Sequence, residues 1–399
     1  MKSQPSASTQ FQGKEPMADD EQSPGDGGSV PPQRSPEEVA ALERAASAAP
    51  EASSAEPIHV SRIASIDEAD VDRFVASCPR TCFWHQRAWM RAVDTTFGMP
   101  EFTLVARRAG EVVGLLPLSK TETLSLGQNL VSVPYGVYGG VAGVDRAVEE
   151  ALIREVRVLA VAEKVGYVEL RHRDARCSEF PESTLYVTFE RDLPAKPEDA
   201  LTMLPRKARA AARQGRDKFG LTFDEGLWFL DDFYSLFSRN KRHLGSPPLP
   251  KRFFEALVQE LKGDVFLHVV RKGSRPIAGV LSFRFKSALL PYYSGGLSEF
   301  EALQCNNFLY WKLMEWGVDR GFKSFDFGRS RRDTGPYHFK KNQGFEPKGL
   351  HYGYHLVNAR RLPQMNPGNP AFDLPRRIWQ RLPLSIHEVL GARLSRYLP

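Results

Sequence analysis

The chain of 399 residues has few cysteines, no long apolar run and no leader pattern at its start. Its cysteines, Cys78, Cys82, Cys177 and Cys305, are too few to cross-link so long a chain into a disulfide framework. No stretch of about 18 apolar residues is present, so the sequence predicts no transmembrane segment. The start of the chain also lacks the basic-then-apolar pattern of a signal peptide. These absences together predict a cytoplasmic protein.

Metal and covalent chemistry have little support in the sequence. Cys78, Cys82 and His85 lie close together, but no second matching pair completes a metal-ligand set. No Ser/His/Asp or Cys/His constellation indicates a covalent intermediate. We therefore predict no metal, and we interpret the two thiols as small buried side chains.

Charge is unevenly spread along the chain. Residues 1–57 hold four basic and ten acidic residues among many Ser, Pro, Ala and Gly, a composition typical of a disordered acidic tail. Because that tail carries −6 and the whole chain +6, the remainder carries +12. A basic body indicates phosphate-bearing partners such as nucleotide-linked sugars, coenzyme A, tRNA or anionic lipid, without choosing among them.

The remaining sequence follows one plan twice: a strand hairpin, a third strand, a helix and a fourth strand. The predicted elements of the first copy are Phe102–Leu118, Leu130–Gly140, Ala147–Gly166 and Tyr167–Arg171; those of the second are Phe266–Phe283, Leu289–Gly296, Asn306–Gly321 and Lys323–Phe327. Two copies predict two similar α/β domains with mixed sheets flanked by helices, at 58–195 and 196–356.

Two basic segments stand outside this plan. A helix is predicted at 201–220, starting near Pro205 and ending at Gly220, with one basic stripe. This stripe is either a solvated face or a contact for phosphate or nucleic acid. Residues 357–399 form a Pro/Arg-rich tail with seven arginines and two acids, which ends in an amphipathic helix at 385–398. This basic amphipathic tail can lie on an anionic membrane, although we favour packing on the protein itself.

The segment Phe325–Phe345 carries the strongest chemical signal. The alternation of aromatics with Asp326 predicts a buried strand that ends at Gly328, which places Arg329 and Ser330 just beyond its carboxyl end. Five cations follow within about a dozen residues, so an anionic ligand or a developing oxyanion is expected there. The alternative is a strand followed by a solvated basic loop.

Several of these pieces together resemble the FemAB branch of the GNAT acyltransferase superfamily. The resemblance covers about residues 58–399 and is carried by Leu130-Val-Ser-Val-Pro-Tyr135, Asn240-Lys-Arg-His-Leu-Gly-Ser-Pro247, Tyr310-Trp-Lys-Leu-Met-Glu-Trp316, Phe325-Asp-Phe-Gly-Arg-Ser330, Phe339-Lys340, Gly344-Phe345 and His351-Tyr-Gly-Tyr-His355. More narrowly, the chain is similar to FemAB-family proteins associated with PEP-CTERM/exosortase and exopolysaccharide gene clusters.

The resemblance implies two tandem GNAT-like (acyl-CoA N-acyltransferase) domains and a choice of two donors. The best-understood FemAB members transfer an aminoacyl group from tRNA to an amine on a cell-wall precursor. Other GNAT proteins cradle acyl-coenzyme A with an Arg/Gln-x-x-Gly-x-Gly/Ala loop. The matching segment here, Gly295 to Asn307, lacks that pattern and carries Glu299 and Glu301, which would repel a pyrophosphate. We expect no tightly bound cofactor and leave the donor open between aminoacyl-tRNA and acyl-coenzyme A.

These observations predict an acyl- or aminoacyltransferase that forms an amide or ester on a cell-envelope or exopolysaccharide precursor, phosphorylated or lipid-linked. Lys340, in the position of the family's Phe-Lys lysine, is predicted to contact the oxyanion or a phosphate, while Asp326 and Tyr310 orient the nucleophile or pass protons. The predicted substrate-binding residues are Arg329, Ser330, Tyr292, Tyr293, Asn306, Arg206, Lys207, Arg242 and Lys341. Asp326 is equally compatible with a structural carboxylate, and at least one of Tyr292 and Tyr293 with core packing.

A non-enzymatic alternative accounts for the same features. In it, the GNAT-like pair is a binding module of a polysaccharide-assembly complex at the inner membrane face, with the basic tail as a peripheral anchor. The cations beside the strand end favour the enzyme, whereas the missing coenzyme A pattern favours the module.

Overall fold

A computed structural model describes residues 56–64, 67–123, 127–175, 180–360, 362 and 373–398. Nearly all of the tail predicted to be disordered, and Cys177, lie outside the described residues. Residues 56–399 form one compact unit.

This unit contains both strands and helices. The strands are β1 (His59–Arg62), β2 (Leu104–Arg108), β3 (Glu111–Leu116), β4 (Ser119–Thr123), β5 (Gly127–Val131), β6 (Ala142–Gly143), β7 (Tyr167–His172), β8 (Glu182–Ser183), β9 (Tyr186–Asp192), β10 (Leu221–Glu225), β11 (Val265–Lys272), β12 (Arg275–Phe285), β13 (Ala288–Gly296), β14 (Ser324–Arg331), β15 (Pro347–Gly349) and β16 (His351–Leu356). The α-helices are α1 (Glu68–Ser77), α2 (Arg87–Phe97), α3 (Arg146–Ala162), α4 (Asp199–Thr202), α5 (Arg206–Asp217), α6 (Leu230–His243), α7 (Lys251–Glu260), α8 (Cys305–Asp319), α9 (Gly335–Asn342), α10 (Asp373–Arg381) and α11 (Leu384–Leu394).

Three sheets organise these strands. The largest has the order β10-β11-β12-β13-β14-β9-β15, and the other two have the orders β1-β2-β3-β6 and β4-β5-β7-β16-β8. Parallel and antiparallel pairs occur together, with helices connecting the parallel pairs. The predicted α/β class, with mixed sheets flanked by helices, is confirmed.

The duplication is visible in the two parallel strand pairs. Strands β5 and β7 pair only at Leu130–Val168 and Val131–Glu169, and α3 connects them. Strands β13 and β14 pair only at Ala288–Ser324 and Leu289–Phe325, and α8 connects them. In both copies the two parallel strands leave the ladder after two residue pairs.

The two copies exchange strands. Strand β9, from the segment predicted as the first domain, pairs with β14 of the second copy. Strand β16, from the segment predicted as the second domain, pairs with β7 of the first. The sheets therefore cross the predicted boundary near residue 195 in both directions.

A single aromatic core joins the copies. Trp84 and Trp89 from the first copy are fully buried, and the Trp89 ring meets the edges of Phe253 and Phe283 from the second. Aromatic pairs of this geometry add to the stabilisation from buried area.

The predicted C-terminal helix is present but presents the opposite face to the protein. The tail packs on the protein, but through small and polar side chains rather than through its apolar stripe. Helix α11 buries His387 and Gly391 and leaves Ile386, Val389 and Leu390 exposed. In the described part of the chain, no helix combines the length and apolarity needed to cross a bilayer.

Candidate functional site

A cavity of about 850 Å³ lies where β13 and β14 part. Its wall comes from both strands, the start of α8, the last turn of α6, and α9. Pairing between β13 and β14 stops after Leu289 and Phe325, so backbone groups farther along both strands face this space rather than each other. The topology thus produces a cleft at the diverging ends of two parallel strands, a usual place for ligands in α/β folds.

Tyr292 and Tyr293 both line this cavity because β13 contains a bulge. Leu281 pairs with Tyr293 but Ser282 pairs with Pro291, which leaves Tyr292 as the extra residue. The two rings pack with centroids 4.6 Å apart, and the Tyr292 hydroxyl donates to the Tyr135 carbonyl oxygen. Burial raises the pKa of both tyrosines, so both are protonated at neutral pH.

Helix α8 brings Tyr310 and Asn306 to the cavity. The Tyr310 ring packs against Phe327, with centroids 4.7 Å apart. Burial raises the pKa of Tyr310, opposed by a hydrogen bond with Ser294 that lowers it. Tyr310 therefore offers a hydroxyl proton rather than a phenolate. Neighbouring Asn307 accepts a 2.7 Å hydrogen bond from Gln343 Nε2, which fixes the start of the helix against α9.

Strand β14 does not end at Gly328, contrary to our prediction. It continues to Arg331, and its register with β9 shifts between Asp326 and Arg329, where Gly328 adopts φ +66°. This conformation favours glycine, so the residue that we took as a strand end marks a bulge. Arg329 and Ser330 consequently belong to the strand itself.

Lys340 supports this bulge. Its ammonium donates to the carbonyl oxygens of Phe327, Gly328 and Arg329 at 2.7, 3.0 and 3.1 Å. Burial lowers the pKa of Lys340 to about 7, while Asp326 acts in the opposite direction. The side chain lines the cavity. A direct contact with an oxyanion would nevertheless have to compete with the three carbonyls, so that predicted role stays a prediction.

Asp326 also hydrogen-bonds to the bulge. It is buried, it accepts from the Gly328 N–H at 2.8 Å and from the Tyr138 hydroxyl, and it does not line the cavity. Burial raises the pKa of Asp326 to about 6, although the Gly328 hydrogen bond and Lys340 lower it. These contacts tie the bulge to the first copy, as expected of a structural carboxylate. Among the described residues, Asp326 has no contact that supports proton transfer in the cavity.

Besides Lys340, one further lysine and one arginine line the cavity, and the sequence predicts one of these two, Arg329. Arg329 donates to the Tyr352 hydroxyl at 3.2 Å and lies 4.6 Å from the Tyr186 ring centroid. Lys241 lines the cavity from α6 and has no hydrogen-bond or ion-pair partner for its ammonium among the residues that the structure describes. Burial lowers the pKa of Lys241, and the charge of Arg329 lowers it further.

The neighbouring Arg242, which we selected instead, does not line the cavity and donates to the Leu382 carbonyl oxygen at 3.3 Å. Phe237, Asn240, Lys241 and Leu244 all line the cavity, with the spacing of one helix face. We missed Lys241, and this helical periodicity is the signal in the sequence that could have distinguished it from Arg242.

The other predicted residues lie elsewhere. Arg206 and Lys207 occupy the exposed face of α5, whose buried face is formed by Ala208, Ala212 and Gly215. Lys341 is exposed on α9. Ser330 is buried in β14, and none of these four residues lines the cavity. Of the two acids in the segment 295–307, Glu301 lines the cavity, whereas Glu299 pairs with Arg275 at 3.3 Å.

His85 lies in the segment 78–85, for which we predict no metal site. Its Nδ1 accepts from the Cys82 N–H at 3.0 Å, and its Nε2 donates to the Gly140 carbonyl oxygen at 2.9 Å. Both ring nitrogens therefore serve the backbone. No group of His, Cys, Asp and Glu in the described ranges has the arrangement of a metal site.

Comparison with known proteins bears on the part of the chain that holds this cavity. Residues 199–341 match the family model described as "Acetyltransferase (GNAT) domain". That segment, less than half of the chain, is similar to a GNAT domain. No curated protein matches the chain significantly.

Solved structures extend the likeness of fold beyond the GNAT domain. FemX is similar with a TM-score of 0.58 at 15% identity, over 80% of this chain and 100% of that one. A tandem GNAT protein from the clavulanic acid biosynthesis pathway has a TM-score of 0.50 at 13% identity, over 75% and 97%. A protein of unknown function from Bacteroides thetaiotaomicron has a TM-score of 0.52 at 11% identity, over 75% and 100%. At such identities the likeness concerns the fold alone.

Proposed function

We propose that the protein transfers an acyl or aminoacyl group to an amine or hydroxyl of a cell-envelope or exopolysaccharide precursor, in a PEP-CTERM/exosortase context. The GNAT domain and the FemAB-like motifs support acyl transfer. The observation that carries the proposal is the cavity at the diverging strands β13 and β14, which presents protonated tyrosines and two cations together.

The proposed acyl transfer requires few catalytic groups. The acceptor nitrogen or oxygen attacks the carbonyl carbon of an ester or thioester, so a new C–N or C–O bond forms. The bond between that carbon and the donor's oxygen or sulfur breaks, and the acceptor's proton ultimately passes to the leaving group. Catalysis therefore needs correct positioning, stabilisation of the oxyanion and a route for one proton.

In this proposal Tyr310 supplies the hydrogen bond or proton. Its hydroxyl stays protonated because burial raises its pKa, and it lies in the wall of the cavity. It can donate to the oxyanion or to the leaving group. Asn306, in the first turn of α8, contributes a neutral polar group beside it.

Lys241 and Arg329 attract an anionic part of a substrate. Both are charged groups in a partly enclosed site, where a phosphate or carboxylate interacts with them more strongly than in bulk water. Lys340 and Asp326 both hydrogen-bond to the backbone of the bulge that carries Arg329. They are positioning residues in this scheme.

The proposed acceptor is phosphorylated or lipid-linked, and the donor is aminoacyl-tRNA or acyl-coenzyme A. Glu301 in the cavity wall disfavours a pyrophosphate at that point, whereas the exposed cations of α5 provide a surface for a larger polyanion such as tRNA. These two features favour the tRNA donor.

Transfer assays with labelled aminoacyl-tRNA and acyl-coenzyme A test the proposal. We expect Tyr310→Phe to lower kcat about 100-fold or more because a proton donor is lost, with the Phe ring still filling the same space. Tyr337→Phe is the matched control, because Tyr337 lies on α9 outside the cavity lining. It should retain full activity.

Two results would contradict the proposal. If the wild-type protein binds a donor or an envelope saccharide but transfers nothing from either donor, the non-catalytic binding module is the better description. If Tyr310→Phe transfers as fast as wild type, the cavity is not the site of the chemistry.

A further inference from the structure

Helix α11 turns apolar side chains outward. Its inward side chains are small or polar: Gly391 packs so closely that an added Cβ would lie 2.2 Å from Pro248 Cδ, and His387 Nε2 donates to the Ser246 carbonyl oxygen at 3.3 Å. The following turn is held by the Tyr135 hydroxyl, which donates to the Ser395 carbonyl oxygen at 3.0 Å. These contacts fix the rotation of the helix about its axis.

The outward face is correspondingly apolar. Its side chains are Ile386 (46% exposed), Val389 (56%), Leu390 (37%), Leu394 (36%) and Leu398 (43%). Single exposed apolar residues are common on soluble proteins, but a stripe at helical spacing indicates a binding surface.

Arg393 and Arg396 lie beside this stripe, and Arg381 ends the preceding helix α10. Arg381, Arg393 and Arg396 are exposed and form no ion pair with any residue in the described part of the chain. Arg393 and Arg396 also line a surface groove of about 660 Å³ with Arg252 and Val389. The only acid of α11 is Glu388. An apolar stripe with an unpaired cationic border has the composition of a helix that lies in an anionic lipid interface.

The surface continues to the cavity described above. Leu398, at the end of the stripe, lines the cavity, as does exposed Leu244 at the end of α6. A molecule lying along α11 would therefore meet the cavity opening at Leu398.

We propose that the outward face of α11 and the turn that follows dock this protein on an anionic bilayer. The apolar side chains enter the interface between headgroups and acyl chains, and the arginines contact lipid phosphates. A second copy of the chain is disfavoured as the occupant, because a two-fold contact through this face would bring the same arginines of both copies together. The inference does not depend on the reaction proposed for the cavity.

Flotation of the full chain with lipid vesicles tests this inference. We expect binding to vesicles of phosphatidylglycerol and phosphatidylcholine in about equal parts, none to phosphatidylcholine alone, and weaker binding as salt rises. Val389→Glu should weaken binding about tenfold or more, because it places a carboxylate in the interface. Arg396→Glu, tested as a separate single variant, should also weaken vesicle binding.

The matched control is Val161→Glu. Val161 is 63% exposed on α3, so this variant makes the same change of charge and size away from the C-terminal face. It should bind as wild type does. Circular dichroism and thermal unfolding of each variant report on folding, and Arg396→Glu keeps the test valid if Val389→Glu does not fold.

Three outcomes would overturn the inference: no binding to the anionic vesicles, equal binding by wild type and both variants, or a wild-type dimer that Val389→Glu dissociates. Transfer to a water-soluble acceptor, measured without vesicles, should be unchanged in Val389→Glu. Failure of vesicle binding and failure of acyl transfer are thus separate results.

Discussion

Two neighbouring lysines near the cavity differ in what they contact. Lys340 donates to three backbone carbonyls of the β14 bulge, whereas Lys341 is exposed on the same helix. Replacing Lys340 leaves those carbonyls without their donor in a buried site, which costs more than the loss of one hydrogen bond in water.

We expect Lys340→Met to lower the free energy of unfolding by about 2 kcal/mol, because lost hydrogen bonds outweigh relief from burying a charge. Lys341→Met should change it by less than about 0.5 kcal/mol. Urea unfolding of both variants makes the comparison. Equal stabilities would show that the bulge does not need the ammonium.

His268 makes stability depend on pH. It is buried in β11 between Phe223 and Trp316, with centroid distances of 4.8 and 4.5 Å, and neither ring nitrogen has a hydrogen-bond partner in the described chain. Burial lowers the pKa of His268 to about 3 from 6.5. Below pH 6.5 the unfolded chain therefore binds a proton that the folded protein excludes, so this contribution to stability is lost as pH falls.

From pH 7 to pH 5 this linkage should lower the free energy of unfolding by about 2 kcal/mol. His268→Phe keeps an aromatic ring at the site and removes the titrating group. The difference in unfolding free energy between wild type and His268→Phe should change by that amount over this range. Parallel curves would mean that His268 titrates normally in the folded protein.

At the scale of elements, β13 lies against the backbone of α6. A Cβ at Gly295 would come within 2.6 Å of Phe237 Cα and N and within 2.7 Å of the Leu236 carbonyl carbon, whereas a Cβ at Gly296 would have its nearest neighbour at 3.7 Å. Because the helix backbone cannot move aside locally, side chains other than hydrogen are excluded at Gly295.

Gly295→Ala should therefore lower the free energy of unfolding by about 1–3 kcal/mol, and Gly296→Ala by much less. Chemical denaturation of this pair compares two adjacent glycines in one strand. A similar small effect in both would show that α6 and β13 are less closely packed than the structure indicates.

Elements with local signals could be predicted from the sequence, and the bulges could not. Alternation and turn glycines identified the hairpin now seen as β2 and β3, and helical periodicity identified α5 and α8 within a few residues. The bulges in β13 and β14 result from pairing with β12 and β9, which no local pattern contains. For this reason the sequence predicts Arg329, Tyr292 and Tyr293 as site residues but does not predict the bulges that place them at the cavity.

At the scale of the whole molecule, the sequence predicts the duplicated order of elements but not the exchange of strands between the two copies. The repeated order of elements is present in the chain, but the pairings of β9 with β14 and of β16 with β7 join residues far apart in sequence. Lys340 was similarly identified as important by its motif, whereas its carbonyl partners depend on the bulge. Contacts between residues far apart in the sequence depend on how the elements pack, and a single sequence does not show this packing.

The strand exchange has a consequence for synthesis on the ribosome. Strand β7 ends at His172, but its neighbour β16 ends only at Leu356. At about 5–20 residues per second, the ribosome needs about 10–40 s to make the intervening chain. Throughout that interval the hydrogen-bonding edge of β7 lacks its native neighbour, and an open edge can pair with other chains. The nascent first copy therefore requires protection until the second is nearly complete.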